Sequence, residues 1–172
     1  MALDILIIDD EQDIRQLIAC ILDDEGFETR QAFDADSGLN EIARRRPNLV
    51  FLDIWMQGSR LDGLQLLDEF QSQHPDMPVV MISGHGNVET AVSAIKRGAY
   101  DYIEKPFKID RLLLITQRAM EASRLKSEVA ELKERSAGGS EELVGVSPAL
   151  AQVRAVIEKS GPTNSRIFLS GP

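Results

Sequence analysis

The feature that most constrains the fold is a regular alternation of short apolar runs with longer amphipathic stretches over residues 1–123. The runs predicted to be strands are 5–8, 27–33, 49–52, 79–82 and 100–103. Residues 49–52 are apolar throughout, which is typical of a strand buried on both faces. Because a strand followed by a helix, five times over, builds a parallel sheet covered on both faces, the sequence predicts an α/β domain.

The stretches between these runs carry apolar residues at helical spacing and end at recognisable stop signals. The first helix closes at Gly26, the second stops before Pro47, and Asp62 is placed to cap the third. The apolar faces of the first and fourth helices are predicted to comprise Ile14, Leu17, Ile18, Ile21 and Leu22, and Val88, Ala91, Val92 and Ile95. Cys20 lies within the first of these helices and is predicted to fill the core.

Composition argues against several classes of function. A formal net charge of -9 and a pI of about 4.7 give no broad cationic field for a phosphate backbone. We therefore expect contact with DNA only through a C-terminal domain outside this sequence. The single cysteine cannot form an internal disulfide, and no apolar run is long enough to span a membrane. These features predict a cytoplasmic protein with no membrane partner.

The fifth helix begins near Ile109 and is predicted to continue beyond the length that a globular domain needs. Apolar residues recur along it at steps of seven, three and four, at Ile115, Ala122, Leu125, Val129 and Leu132. This seam could pair with a second copy of the chain as a short coiled coil, or the helix could be a solvated linker. Residues 137–142, Ala-Gly-Gly-Ser-Glu-Glu, are predicted to break it.

Residues 141–172 contain one helix pattern and one strand pattern. A single helix and a single strand cannot bury both of their apolar faces, so this segment is predicted to be the opening of a truncated domain. The expected organisation is a first domain over 1–123, a helical linker over 124–140 and the truncated piece over 141–172.

Polar residues follow four of the predicted strands where each strand ends. Asp9 and Asp10 follow the first, Asp53 the third, Ser83 the fourth and Lys105 the fifth. The carboxyl ends of parallel strands meet at one edge of the sheet, where ligands bind. Three carboxylates held close together repel by about 4 kcal/mol per pair at an effective dielectric of 20, and one lysine cannot balance them. The sequence therefore predicts a hard divalent cation, most simply Mg²⁺.

This set of residues also suggests a reaction. Asp53 could attack phosphorus and become an aspartyl phosphate, while the metal and Lys105 neutralise charge on the transferred group. Each residue taken alone has a simpler interpretation: Asp9, Asp10 and Glu11 could cap the first helix, Lys105 could neutralise a neighbour, and Ser83 could be a turn residue. Their joint placement favours the chemical role.

The motifs IIDDE, FLDIWM, MISG and YIEKPF, in this order and over about residues 3–120, resemble the receiver domain of bacterial two-component response regulators. The resemblance implies a flavodoxin-like (βα)5 doubly wound parallel sheet with strand order 2-1-3-4-5. It also implies a sensor histidine kinase as partner and signalling through the surface around the fourth helix, fifth strand and fifth helix, which is one possible homodimer face. The extended fifth helix is the other.

The same resemblance assigns roles to individual residues. Asp53 would be the phosphoacceptor, Asp10 a direct metal ligand, Asp9 a ligand through water, and the backbone carbonyl of Trp55 the third protein ligand. Lys105 would hold the phosphoryl group, with a cis bond to Pro106. Ser83 and Tyr102 would form the switch pair, the hydroxyl of Ser83 turning to meet the phosphate while the ring of Tyr102 follows.

The tail narrows the resemblance. LVGVSPALAQVRAVIEK followed by RIFLSGP resembles the start of the AAA+ domain of activators that act with the nitrogen sigma factor. The sequence stops before the G-K-[ST] of a phosphate-binding loop, so we expect no ATP binding by this fragment. The receiver motifs are most similar to those of the NtrC/NtrX type, which implies a role in nitrogen regulation.

One segment departs from the receiver pattern. The loop over 54–62 has Gln57 in place of the usual proline and two extra residues, and it is predicted to be more mobile. Arg60 within this loop could contact a phosphate, but a solvated arginine is the favoured interpretation.

Two other functions fit parts of the sequence. A phosphatase that forms an aspartyl phosphate in a similar fold is the main alternative, but such enzymes commonly need a second acid two residues after the nucleophile, where this chain has Trp55. A flavodoxin-like cofactor-binding module would need a glycine-rich phosphate loop after the first strand, where this chain has acids. The regulatory interpretation is the one that uses all the motifs.

Overall fold

The computed structural model describes residues 3–84, 88–137 and 152, with the side chains of 135–137 excepted. The chain divides into two compact units, 1–129 and 130–172. The predicted break at 137–142 and the predicted domain opening at 141–172 lie almost wholly outside the described residues. The domain boundaries at 123 and 140 therefore stay predictions.

The first unit alternates strand and helix as the sequence predicts. Its strands are β1 (Asp4–Ile8), β2 (Glu28–Ala32), β3 (Leu49–Asp53), β4 (Val79–Ser83) and β5 (Asp101–Glu104). The helices are α1 (Gln12–Asp24), α2 (Ala35–Arg44), α3 (Gly63–Gln73), α4 (Val88–Lys96) and α5 (Ile109–Ala137). All neighbouring strands are parallel, in the order β2-β1-β3-β4-β5, which confirms the predicted flavodoxin-like topology and the extended fifth helix.

The sheet is covered on both faces by helices. Alternate strand residues point to opposite faces, so Leu6 and Ile8 pack with α2, α3 and α4, while Ile5 and Ile7 pack with α1 and α5. β1, β3 and β4 are buried along their whole length, which explains why they appear in the sequence as continuous apolar runs. This double cover fixes the strands as a rigid support for the residues at their carboxyl ends.

Several helix side chains that the sequence predicted to be buried are exposed in the structure. Cys20 is exposed, so the prediction that it fills the core is wrong. It lies two residues, about 200° of helix rotation, from both Ile18 and Leu22, which are fully buried. Leu17, also predicted on the apolar face of α1, is 49% exposed. In α4 the buried residue is Ala94, and the predicted apolar stripe lies largely at the surface, with Val88 79%, Val92 45% and Ile95 47% exposed.

In the part of the chain that the structure describes, no helix combines the length and the apolar character that crossing a bilayer requires.

Candidate functional site

Backbone hydrogen bonds hold the strand ends in register beyond the strands themselves. The amide of Asp9 donates to the carbonyl of Ala32, that of Ile54 to Ile82, and that of Lys105 to Ser83, at 3.2, 3.0 and 2.8 Å. Since β1, β3, β4 and β5 are neighbours, these bonds bring the residues that follow them to one edge of the sheet. The bond between Lys105 and Pro106 is cis, as the family resemblance implied.

The predicted acidic cluster is present. Asp9 and Asp53 are buried, Asp10 is partly buried, and one carboxylate oxygen from each lies within 4.8 Å of the others. The Nζ atom of Lys105 lies 2.8 Å from Oδ2 of Asp9 and 3.1 Å from Oδ1 of Asp53. It also lies 3.0 Å from Oε1 of Glu11. The structure thus brings together four of the residues that the sequence predicted for the site.

Backbone amides orient each carboxylate. The amide of Trp55 donates to Oδ2 of Asp53 at 2.9 Å, and that of Glu11 to Oδ1 of Asp9 at 2.8 Å. The amide of Gln57 donates to Oδ2 of Asp10 at 3.1 Å. Amide donors have little freedom of their own, so the three acids are held in defined orientations before any ligand arrives.

Burial dominates the electrostatics of the site. Desolvation raises the pKa of Asp53 to about 7, and the charge of Asp9 adds to this while Lys105 opposes it. Desolvation likewise raises the pKa of Asp9. Burial lowers the pKa of Lys105, but its ion pairs with Asp9, Asp53 and Glu11 outweigh that effect and raise the pKa above its ordinary value. The lysine therefore stays protonated, and the acids are still short of positive charge.

The donor set fits a hard dication. All three side chains offer carboxylate oxygens, the ligands that Mg²⁺ prefers. Oδ2 of Asp9 is buried and has no hydrogen-bond partner among the described residues, although Lys105 pairs with it electrostatically. A buried carboxylate oxygen without a well-directed donor is costly, and coordination would satisfy it. The predicted use of the carbonyl of Trp55 as a further ligand stays a prediction.

A cavity of about 270 Å³ opens over this cluster. It is lined by Asp10, Glu11, Asp53, Trp55 and Lys105, among other residues. Trp55 is 55% exposed and forms part of the rim. Asp10 and Asp53 can therefore be reached through this cavity, as phosphorylation of an aspartate would require.

The two residues predicted to form the switch lie on adjacent strands. Ser83 is the fully buried last residue of β4, and Tyr102 lies in β5, packed against the core on the α2, α3 and α4 side. The hydroxyl of Tyr102 is buried and has no hydrogen-bond partner in the described part of the chain. Their roles in catalysis and switching stay predictions.

The lengthened loop 54–62 is tied to the start of α2. Oγ of Ser59 accepts a hydrogen bond from the amide of Ala35 at 3.0 Å. Arg60 pairs with Asp36 at 2.9 Å, with both side chains largely exposed. Arg60 thus has a surface partner, in keeping with the favoured interpretation that it is a solvated arginine.

Sequence reasoning assigned no site role to Glu11 or Gln57. Glu11 was interpreted as a helix-capping acid, and Gln57 was noticed only as a missing proline. The signal for Gln57 was present, because any residue other than proline supplies an amide donor at that position. The contact of Glu11 with Lys105 joins residues 94 positions apart and has no local signal.

Comparison with known proteins identifies the class. The family described as "Response regulator receiver domain" matches residues 5–117. The chain belongs to this family of two-component response regulators, whose parallel five-stranded fold and acidic strand ends it shares.

Particular members of the family are closely similar. The chain is 62% identical over its full length to the nitrogen assimilation regulatory protein NtrX of Azorhizobium caulinodans, and it spans 37% of that relative's length. The crystal structure of the receiver domain of NtrX from Brucella abortus is 73% identical, with a TM-score of 0.67 over 69% of this chain and 98% of the other. The beryllofluoride-activated NtrC4 receiver domain dimer is 37% identical, with a TM-score of 0.66 over 70% of this chain and 98% of the other.

Proposed function

We propose that this chain accepts a phosphoryl group on Asp53 from a sensor histidine kinase and thereby switches an attached transcription-activator output. The observation that carries the proposal is the grouping of Asp53, Asp9, Asp10 and Lys105 at an open cavity, with the lysine bridging two buried acids. Membership of the response regulator family supports the same conclusion.

Each residue of the site has a separate proposed role in phosphoryl transfer. A carboxylate oxygen of Asp53 attacks phosphorus, and the bond from phosphorus to the donor nitrogen breaks with its electron pair leaving on that nitrogen. Lys105 is placed to neutralise charge on the transferred group. Asp9, Asp10 and Asp53 would hold Mg²⁺, with the carbonyl of Trp55 as a further ligand. When bound, the ion would favour the ionised, nucleophilic form of Asp53, whose pKa is otherwise about 7.

The signal would then pass through Ser83 and Tyr102. Ser83 ends the strand next to β3 and β5, and the Tyr102 hydroxyl has no partner to hold it inward among the described residues. We propose that the new phosphate draws the Ser83 hydroxyl and that the ring of Tyr102 follows, which changes the surface around α4, β5 and α5.

We propose the layout predicted from the sequence for the rest of the chain. Residues 1–123 would be the receiver, 124–140 a helical linker and 141–172 the start of an AAA+ domain. The relative from Azorhizobium is much longer than this chain, and its name supports an output in nitrogen regulation. DNA contact would belong to a C-terminal domain. A cytoplasmic location fits a kinase relay and the exposed free Cys20.

A homodimer is the proposed assembly. The exposed residues Val88, Val92 and Ile95 of α4 offer an apolar surface, and the 37% identical NtrC4 receiver is described as an activated dimer. The seam of α5 is the other candidate, since Leu125, Val129 and Leu132 are exposed.

The phosphatase alternative is less well supported. Phosphatases that form an aspartyl phosphate commonly use a second acid, two residues after the phosphorylated aspartate, as general acid and base. Trp55, two residues beyond Asp53, offers no titratable group, and its amide is already bonded to Asp53. The chain is therefore proposed to store the phosphoryl group rather than to release it as a catalytic product.

Acetyl phosphate tests the proposal. Incubation with it and Mg²⁺ should increase the intact mass by one phosphoryl group in the native chain and in the control Asp24→Asn, whose carboxylate lies outside the site. Asp53→Asn or excess EDTA should abolish the increase. Persistent labelling of Asp53→Asn would refute the assigned phosphoacceptor, and labelling in EDTA would refute the metal requirement.

A further inference from the structure

Glu11 occupies the capping position at the start of α1 but does not cap the helix. Short polar side chains there, such as those of Asp or Ser, commonly accept a hydrogen bond from an amide of the first turn. Among the described residues the side chain of Glu11 makes no such bond. Its Oε1 atom is instead bonded to Nζ of Lys105 at 3.0 Å, across 94 residues of sequence. The position of this side chain is therefore set by the lysine and not by its own helix.

The three acidic partners of Lys105 differ in how easily each could release the lysine. The side chains of Asp9 and Asp53 are 1% and 4% exposed, so losing the lysine would leave a buried charge unpaired. The side chain of Glu11 is 61% exposed, and water can solvate its carboxylate once the ion pair with Lys105 is broken. Glu11 is thus the partner that can be replaced at least cost.

The incoming group needs the same donor. A phosphoryl oxygen is an anionic acceptor, like the carboxylate oxygen of Glu11, and it must reach the ammonium group of Lys105 from the cavity that Glu11 lines. The two acceptors therefore compete for one ammonium group.

We propose that Glu11 competes with the phosphoryl group for Lys105 and pairs with the lysine at the mouth of the site until a phosphoryl group displaces it. The proposal rests on the proposed function, because it takes Asp53 as the phosphoacceptor. In the unphosphorylated chain Glu11 is one of the three acids that pair with the lysine. In the phosphorylated chain its carboxylate swings into solvent, and the displacement lowers the affinity of the site for the phosphoryl group.

Beryllofluoride, a phosphoryl mimic, allows this competition to be measured on the full chain. The single tryptophan, Trp55, lies at the rim of the cavity and reports binding by its fluorescence in Mg²⁺. Glu11→Gln removes the competing charge, and Glu11→Asp keeps the charge but is one methylene shorter. Both variants should bind beryllofluoride about three- to tenfold more tightly than the native chain.

Two controls distinguish loss of the pair between Glu11 and Lys105 from other effects of the substitutions, namely a change in the charge near the site and a change in stability. Glu104→Gln removes an exposed acid next to Lys105 in sequence and should change the dissociation constant by less than about twofold. Unfolding temperatures of all variants in EDTA should stay within a few degrees of the native value, because Glu11 is exposed.

The outcomes are distinct. Tightening by both Glu11 variants, with Glu104→Gln unchanged, supports displacement of Glu11 from Lys105. If Glu11→Asp binds like the native chain, or if neither variant binds more tightly, the inference is overturned while the phosphoacceptor assignment stands. If the native chain shows no beryllofluoride binding in Mg²⁺, the proposed function is overturned and this inference with it.

Discussion

The ionised carboxylate of Asp53 destabilises the folded, metal-free chain. Burial and the charge of Asp9 raise its pKa to about 7 from 3.8, so the folded chain binds a proton there more readily than the unfolded chain does. Between pH 4 and pH 7 the folded state therefore carries more protons at this position. By linkage, this group makes the metal-free chain less stable as pH rises through that window, and the full penalty applies above pH 7.

Replacing Asp53 by Asn should relieve the penalty. At pH 8 in EDTA we expect Asp53→Asn to raise the free energy of unfolding by about 2 kcal/mol, which is less than the full shift implies because a partner of Lys105 is lost too. The gain should shrink towards zero near pH 4, where the carboxyl is protonated in both states. Urea unfolding across this pH range, with Asp24→Asn as control, measures the difference.

A gain in unfolding free energy that does not vary with pH would show that the desolvated charge of Asp53 is not its source.

Magnesium binding provides a second test of the electrostatics at Asp53. At a concentration a hundred times its dissociation constant it should stabilise the native chain by about 2.7 kcal/mol. Asp53→Asn should lose most of that stabilisation, because one of the three ligands has become an amide. Equal stabilisation of both chains would place the ion elsewhere.

At the scale of elements, the contact between the start of α3 and the end of β3 positions Asp53, the proposed phosphoacceptor. Gly63 begins α3, and its amide donates to the carbonyl of Ile54 at 2.9 Å. Asp62 and Gln65 close a capping box around the same turn. A Cβ atom on Gly63 would collide with the backbone of Asp53 and Ile54. The glycine is therefore required for close approach of two backbones.

Gly63→Ala should consequently lower the free energy of unfolding more than a glycine-to-alanine change at another helical position does. We expect a loss of about 2 kcal/mol or more in unfolding free energy, because backbone must move, together with slower labelling of Asp53 by acetyl phosphate. Gly38→Ala in α2 is the matched control, since its Cβ would meet the side chain of Ile8 and no backbone, with the terminal Cδ1 nearest at 2.7 Å. The end of a side chain yields more easily than backbone, and alanine favours the helix by about 1 kcal/mol.

Denaturant unfolding and the labelling rate of the two variants test this contact. Similar stability losses in Gly63→Ala and Gly38→Ala would mean that the start of α3 can shift without disturbing β3. Normal labelling by a destabilised Gly63→Ala chain would separate the packing role of this glycine from the geometry of the site.

At the scale of the whole molecule, the proposed homodimer has two candidate apolar surfaces, that of α4 and the seam of α5. The seam of α5 is exposed at Leu125, Val129 and Leu132, with polar and charged residues between them. A fragment of residues 1–135 contains this seam, whereas a fragment of 1–123 ends before it. Both fragments contain α4.

We expect the 1–135 fragment to dimerise at a concentration at least tenfold lower than the 1–123 fragment, because knobs-into-holes packing buries the seam. Val129→Lys in the longer fragment should remove the difference, and Lys126→Arg, a surface change on the same helix, should not. Light scattering across a concentration series is the measurement. Equal association by both fragments would assign pairing to the α4 surface.

Much of this protein could be predicted without its structure. Buried parallel strands must be apolar on both faces, so β1, β3 and β4 stand out as continuous runs, and the acids that follow them identify the edge where the site lies. Boundaries were close: β1, β3 and β4 each extend one residue beyond the predicted run at one end, and β2 and β5 differ from the predicted runs by one residue at each end, where hydrogen bonding rather than hydrophobicity decides.

Helix surfaces were predicted less well. Periodicity states which side chains share a face, but it cannot state whether anything covers that face. Leu17 of α1 and the stripe of α4 were predicted wrongly for this reason. Cys20 is exposed because it lies on the opposite side of α1 from the buried Ile18 and Leu22.

The sequence by itself determined the order of strands and helices along the chain, because that order follows from local patterns of hydrophobicity. It also determined which acids follow the strands, because those acids are adjacent to the apolar runs. Only the tertiary structure decided that Lys105 pairs with Glu11 as well as with Asp9 and Asp53, and that the amide of Gln57 donates to Asp10. Those contacts join residues far apart in the chain, and their partners are chosen by distances that exist only once the sheet has brought its strand ends together.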